Sequence, residues 1–273
     1  MTSREKALRY ALLVLVLLIT VGPFLWQLST SLKSVNEDIF TATPQLLPQE
    51  PTLANYSAVL DTLPVLKYAW NSVIVAFLTI TGNAIGATLA GYALARLRFR
   101  GAKLMLAAFV STLVLPEEVT IISKLVTVQS MGLADTLAGV ALPNAISMLN
   151  VLLMRTAFAA IPREMDEAAI VDGANAWQRF LRIGLPNVRG MLSVISLFAF
   201  IGAWDDFLWP LIVLTDPENL TLTVGLNYLN GTFSANPRLI AAGTMIAFIP
   251  IVIVFATLQR FFFRGVEEGA IKG

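Results

Sequence analysis

The sequence predicts an all-α polytopic membrane protein with six transmembrane helices, on three observations. Hydrophobic residues make up 56% of the 273 and charged residues only 14%, with a mean hydropathy of +0.73. A soluble domain carries about 25% charged residues. Six apolar stretches reach the roughly 20 residues that a helix needs to cross a bilayer. The basic residues also segregate: with the N-terminus inside, Arg4, Lys6, Arg9, Arg96, Arg98, Arg100, Lys103, Arg155, Arg163, Arg179, Arg182, Arg189, Arg260, Arg264 and Lys272 share one side, 15 of 19. Only Lys33, Lys67, Lys124 and Arg238 fall opposite, so the positive-inside rule places both termini in the cytoplasm.

The first span is read near residues 8–28. Arg4, Lys6 and Arg9 precede it as in a signal peptide, but its apolar run exceeds the about 7–15 residues of an h-region, which argues for a retained span. An outside segment from Ser29 to Tyr68 follows, with Pro44, Pro48, Pro51 and Pro64. It is either a solvated connector or a docking surface. The second span, near 69–94, carries Gly82, Gly86 and Ala90, a small-residue stripe that lets another helix approach. The third, near 104–126, is interrupted by Glu117, Glu118 and Lys124, and the fourth, near 137–158, by Pro143 and Asn144. The fifth, near 191–214, holds Asp205 and Asp206. A second long outside segment, Thr215 to Arg238, leads to the sixth span near 239–258. The chain reads as a single domain over 1–273, with no repeat and no low-complexity tract.

Between the fourth and fifth spans lies a polar island, residues 160–188. Pro162 suits the first turn of a helix, and Glu164, Asp166 and Glu167 sit where its dipole favours carboxylates. Met165, Ala168 and Ala169 share one face. Gly173 suits a left-handed stop, and Asn175 with Gln178 forms a capping box for a second helix. Trp177, Phe180, Leu181 and Gly184 make its apolar face, Gln178, Arg179 and Arg182 face away, and Pro186 ends it. This helical hairpin suits either a protein partner or lipid headgroups.

Catalysis and metal binding find little material. With no Cys and no His, thiol and imidazole chemistry and Cys/His zinc sites are excluded, so catalytic and metal residues are none. A net charge of +1 gives no field for nucleic acid. No phosphate-loop motif is present to cradle ATP.

Glu167, Ala168, Ala169, Gly173, Ile183, Leu185 and Pro186 together resemble the EAA loop of the permease subunits of ATP-binding-cassette importers. The run Trp204 to Pro210, the run Leu222 to Leu226, the ending Arg264-Gly265 through Gly269 to Gly273, and Gly132, Leu133 and Thr136 resemble the carbohydrate branch, of the maltose-permease second-subunit type. Pro116-Glu117-Glu118 and Ser123-Lys124 depart from that branch in being more charged, which bears on the substrate class.

The resemblance implies a cytoplasmic coupling helix, with Glu167, Ala168, Ala169, Asp172 and Gly173 against an ATPase subunit and Ile183, Leu185 and Pro186 completing the loop. It implies a second ATPase contact by the tail Gly269, Ala270, Ile271, Lys272 and Gly273. Implied partners are a homologous permease in a heterodimer, two ATPase subunits that bind ATP and Mg, an extracytoplasmic solute-binding protein docking near Thr215 to Arg238, and membrane lipid in a bacterial or archaeal cell membrane. A sugar route past Trp204, Asp205, Asp206, Phe207 and Trp209 competes with the reading of those tryptophans as interfacial anchors. An importer of a neutral carbohydrate is expected, with glycerol-phosphate or a polyol as the alternative cargo and an ATP-independent channel as the alternative class.

Overall fold

A computed structural model describes residues 3–39, 45–231 and 236–270. Among these residues every regular element is helical. Three helices are long and apolar enough to cross a membrane, and two bent pairs meet the same test when each pair is taken as one span.

The chain forms two compact units. The first comprises residues 1–66 and 225–249. Its helix α1 (Ser3–Leu32) leaves the residues from Leu8 to Ile19 exposed, as an apolar helix facing lipid requires. Its C-terminal end is different: Ser31 and Lys33 are fully buried. The reason is α2 (Ala54–Thr62), where Asn55 Nδ2 donates to the carbonyls of Ser31 and Lys33, at 2.9 Å each. A side-chain amide thus satisfies backbone acceptors that the helix end leaves open. Lys33 Nζ donates to the Gln45 carbonyl at 2.7 Å and lies 5.0 Å from the Trp26 ring centroid. The carboxylate of Glu37 gathers the backbone N–H groups of Ser34, Gln49 and Glu50. Those donors hold its pKa below the ordinary range. Residues 29–39 and 45–62 therefore form a built structure, with a helix that the apolar pattern does not announce because α2 is only nine residues long.

The second unit comprises residues 67–224 and 250–273. Its spine is α3 (Val65–Arg96), and the glycine stripe serves packing within the chain. A Cβ at Gly82 would lie 2.7 Å from the Ala145 carbonyl oxygen, and one at Gly86 2.5 Å from the Ile146 side chain. The third close approach falls at Gly91, where a Cβ would meet the Met154 Cβ at 2.7 Å and the Arg155 nitrogen at 2.8 Å. Ala90, read as continuing the stripe, packs half-buried against the same core.

The third predicted span is not one helix. It is α4 (Ala102–Thr112) and α5 (Glu117–Ser130), separated at Leu113–Pro116. Pro116 has ψ 138° and lacks the N–H that would continue the ladder. The fourth is also broken: α6 (Leu137–Ala141) and a 3-10 turn at Leu142–Asn144 meet α7 (Met148–Ala159) at 46°. The polar island contributes α8 (Arg163–Val171), α9 (Ala176–Arg179), a π turn at Phe180–Gly184 and α10 (Leu185–Asn187). The fifth span is α11 (Arg189–Asp205), bent 78° from the preceding segment and broken before α12 (Leu208–Val213). The second outside segment holds a 3-10 turn at Pro217–Asn219 and α13 (Leu222–Asn227). The sixth helix, α14 (Pro237–Ala270), overruns its predicted end at 258.

The Pro217 region is tied down from two sides. Asn71 Nδ2 donates to the carbonyls of Glu218 and Leu220, and Ser72 Oγ accepts the Leu222 N–H. Asp135, at φ 55°, accepts the N–H groups of Thr215 and Asp216 at 2.9 and 3.1 Å. These donors lower its pKa from 3.8.

Two outcomes follow from this packing. Gly91→Ala, which forces a Cβ onto backbone, is expected to destabilise the protein by about 1–3 kcal/mol in detergent thermal unfolding despite the gain in helix propensity. Because folding depresses the pKa of Asp135, its contribution is complete above pH 3.8 and is lost as pH falls through the lower folded value. Asp135→Asn at neutral pH should therefore speed amide exchange over Thr215–Leu220, while acidification from pH 7 to 5 leaves that segment unchanged through this group.

Candidate functional site

The polar island is a hairpin built on local rules that the sequence carries. Pro162 is the cap residue at ψ 137°, one position ahead of the first helical residue, because its extended ψ stops the helix from reaching back to it. Helix α8 ends where Gly173 takes φ 80°, a conformation glycine adopts without penalty. There the Ala174 N–H reaches the Ala169 carbonyl at 2.8 Å and closes the turn. The capping box forms as its spacing predicts: Asn175 Oδ1 accepts the Gln178 N–H, and Gln178 Oε1 accepts the Asn175 N–H, both at 2.9 Å.

The hairpin is fastened to the end of α3. Arg96 donates from Nε and Nη2 to the Phe158 carbonyl at 2.9 and 2.6 Å, and from Nη2 also to the Ile161 carbonyl. Its Nη1 faces Asp166 Oδ2 at 3.3 Å. One guanidinium thus caps the C-terminal end of α7 and pairs with α8. The two side chains are 7% and 16% exposed, so little water screens the pair. One turn earlier, Tyr92 Oη donates to the Ala176 carbonyl at 3.2 Å. The Tyr92 ring sits 5.3 Å from Phe158 and 5.1 Å from Phe180, and Trp177 stacks on Phe180 at 5.2 Å. Gly184 belongs to this cluster because a Cβ there would come within 3.1 Å of the Phe158 ring. In the sequence, Arg96 stands out only as one basic residue among several. An Arg one turn after a Tyr at a helix end was the available signal.

Among the described residues, the side chains of Glu167 and Asp172 on the outward side of the hairpin make no hydrogen bond or ion pair. Glu167, Ala168, Asp172 and Gly173 are exposed and Ala169 is half-buried. Beside them stand Ile170, Val171 and Trp177 at 54%, 87% and 57% exposure, an apolar patch of the kind that marks an interaction site. Ile170 and Val171 lie inside the same motif but escaped the helical-face reading, since only Met165, Ala168 and Ala169 fit its spacing. Gln178 and Arg182 face outward as expected, whereas Arg179 is half-buried. Ile183 and Leu185 are half-buried and Pro186 is exposed, so these three support the hairpin's return to α11. Of the tail, Gly269 and Ala270 close α14, while Ile271, Lys272 and Gly273 lie outside the described residues.

A cavity of about 600 Å³ opens elsewhere in the second unit, lined by Asn83, Lys124, Asn144, Asn150, Asp205 and Asp206 among others. Of the five residues read as a route, Asp205 and Asp206 line it. Trp204 and Trp209 do not: both are 3% exposed, Trp204 stacking on Phe200 at 5.6 Å and Trp209 donating from Nε1 to the Val140 carbonyl at 3.2 Å. Buried packing makes them neither route walls nor interfacial anchors, and Phe207 is 37% exposed away from the lining. Lys124 Nζ donates to Asn144 Oδ1 at 3.1 Å and lies 4.7 Å from the Trp209 ring centroid.

Residues 82–268 match the family model described as "Binding-protein-dependent transport system inner membrane component". The chain is 30% identical over 270 residues to the galactooligosaccharides transport system permease protein GanQ of Bacillus subtilis, covering 97% of this chain and 94% of that one. It is 32% identical over 277 residues to the maltodextrin transport system permease protein MdxG of Bacillus subtilis, covering 98% and 97%. Its fold matches a chain in the crystal structure of a bacterial ABC transporter involved in the import of the acidic polysaccharide alginate, with a TM-score of 0.84, 23% identity and coverage of 96% and 99%.

Removing the clamp should be measurable without any partner. Arg96→Ala leaves the Asp166 carboxylate and two carbonyls without their donor, and is expected to cost about 3 kcal/mol, the lower end for a broken buried pair because Asp166 retains some solvent. Arg96→Lys, which keeps charge but loses the fork, should recover less than half of that in thermal unfolding.

Proposed function

The chain belongs to the family of binding-protein-dependent transport system inner membrane components, and from that premise we propose that it is the permease subunit of an importer carrying an oligosaccharide or related neutral carbohydrate into the cytoplasm. Hydrolysis of ATP then falls to partner chains. The observation that carries this reading is the hairpin: exposed on one side, clamped to a membrane helix on the other. Support for a carbohydrate cargo comes from the names of the relatives, which include galactooligosaccharide and maltodextrin permeases that align along nearly the whole chain.

In this reading the exposed side, Glu167, Ala168, Ala169, Asp172 and Gly173 with the apolar Ile170, Val171 and Trp177, seats in an ATPase subunit. A contact of that kind has an apolar centre and a polar rim. When the ATPase pair closes, the hairpin is displaced. The guanidinium of Arg96 and the hydroxyl of Tyr92 then carry the displacement to α3, since both bond to the hairpin and belong to one rigid helix. Because α3 packs on α7 at Gly91 and on the break before α7 at Gly82 and Gly86, the two helices move together. A homologous permease completes the translocation path, two ATPase chains bind ATP and Mg, and a solute-binding protein delivers the cargo to the outer face. Both termini lie in the cytoplasm, and the tail from Gly269 to Gly273 makes a second ATPase contact.

Reconstitution of the whole complex in liposomes tests this. Val171→Asp, which places a charge in the apolar patch, is expected to lower solute-stimulated ATP hydrolysis and uptake about thirtyfold, the roughly 2 kcal/mol of one interface hot spot. Gly173→Val, which strains a left-handed backbone without meeting any neighbouring atom, should act likewise. Solute flux through the chain without ATPase partners would instead establish a channel.

A further inference from the structure

The cavity in the second unit gathers what a solute site needs, and its position is unusual. Three of the interrupted spans meet there. Thr112 and Leu113 mark the break between α4 and α5, Pro143 to Met148 the break before α7, and Asp205 with Asp206 the break between α11 and α12. Irregular backbone at membrane depth is tolerated where it lines a cavity, and discontinuous helices are where transporters place their binding sites. A volume of about 600 Å³ lies within the roughly 300–1,000 Å³ of small-molecule sites.

The charges are arranged asymmetrically. Lys124 is already engaged, by Asn144 Oδ1 and by the face of Trp209. Asn144 passes the link on, its Nδ2 facing Asp206 Oδ2 at 3.4 Å, while Asp206 Oδ1 accepts the Trp209 N–H. The cation, the amide and the second carboxylate thus occupy one another. Asp205 is exposed into the cavity and accepts no hydrogen bond from the described residues. Two acids against one committed base leave the lining negative. Across from them, Asn150 is 2% exposed with its Oδ1 unpartnered, and Thr79 is 4% exposed with its Oγ1 unpartnered. Buried polar atoms left without partners are rare, and such atoms beside a cavity are open to the hydroxyls of a bound solute.

Building on the importer reading above, we propose that this cavity is a solute site contributed by this chain, in which Asp205 accepts the hydroxyls of an uncharged, hydroxyl-rich solute and turns anionic ones away. A carboxylate offers two oxygens to adjacent hydroxyls. A second carboxylate nearby raises the cost of bringing in a uronate, phosphate or sulfonate. Lys124 offsets only one of the two carboxylates, so the lining keeps a net negative charge. Lys124 is thereby a positioning residue for the Asn144–Asp206 arm, and Asp205 is the specificity-determining one.

The chain has no cysteine, so Ser147→Cys, which lines the cavity, introduces a single reporter. In the reconstituted complex, maleimide labelling of this cysteine is followed with maltotriose as the neutral probe and trigalacturonate as the acidic one. Maltotriose should slow labelling and trigalacturonate should not. Asp205→Asn, isosteric and uncharged, should cut the discrimination between the two about tenfold. Asp205→Ala should also weaken protection by maltotriose. Basal ATP hydrolysis in each variant checks that the complex is folded and assembled. Equal protection by both sugars before substitution, or discrimination unchanged in both variants, overturns the proposal. If that happens while ATP-driven maltotriose uptake persists, the importer reading stands and only the site is wrong. Absence of stimulated hydrolysis and uptake with every neutral sugar tried would sink both.

Discussion

Arg96 ends the longest helix of the second unit with a cation that meets three acceptors at once: the Phe158 and Ile161 carbonyls and the Asp166 carboxylate. Each acceptor belongs to a different piece of the chain. Phe158 lies in the last turn of α7, Ile161 lies in the connector, and Asp166 is one turn into α8. A helix C-terminus leaves carbonyls open and carries partial negative charge, so a buried guanidinium is suited to it twice over. Lysine has a single point of charge and cannot span that geometry. With the clamp in place, the aromatic cluster of Tyr92, Phe158 and Phe180 closes against Gly184, and the hairpin has a fixed floor. Its opposite side is then free to present Glu167, Val171 and Gly173 outward.

A second constraint shapes the interior. Where a spanning helix breaks, its freed backbone groups need partners, because lipid offers none. Asn83, buried on α3, answers for the break before α7: its Oδ1 accepts the Ser147 N–H at 2.9 Å, and its Nδ2 donates to the Asn144 carbonyl at 3.2 Å. The same Oδ1 accepts from Asn150 Nδ2 at 2.8 Å. Asp206 plays the equivalent part at the fifth span by accepting the Trp209 N–H that opens α12. Polar residues in these spans therefore serve two ends. They make the breaks possible, and the breaks hold a polar cavity open. The glycines on α3 act in concert, since only close helix contact brings the Asn83 amide within reach of the α7 break.

Much of this was legible beforehand, and the exceptions share a cause. The hairpin's stop at Gly173 and its capping box depend on residues five or fewer positions apart, so sequence spacing specifies them. The interrupted third span was visible as Pro116 beside two glutamates but not resolvable as two helices, since apolar composition continues across the break. Helix α2 was hidden because nine residues give too short a period to read against a proline-rich background. Trp204 and Trp209 were misplaced for a related reason. An aromatic residue beside intramembrane acids fits a route, a lipid interface and a core equally well, and the core contact that decides the case, Trp209 to Val140, spans 69 positions.

By itself, the amino-acid order determined that the chain lives in a membrane and where a polar hairpin interrupts the apolar run, because hydropathy and capping are properties of neighbouring residues. Only the tertiary structure decided that Arg96 holds that hairpin, that Lys124 pairs with Asn144, and that Asp205 is left facing a cavity. Each of those outcomes is a competition among groups far apart in the chain, and packing, not proximity in sequence, selects the winner.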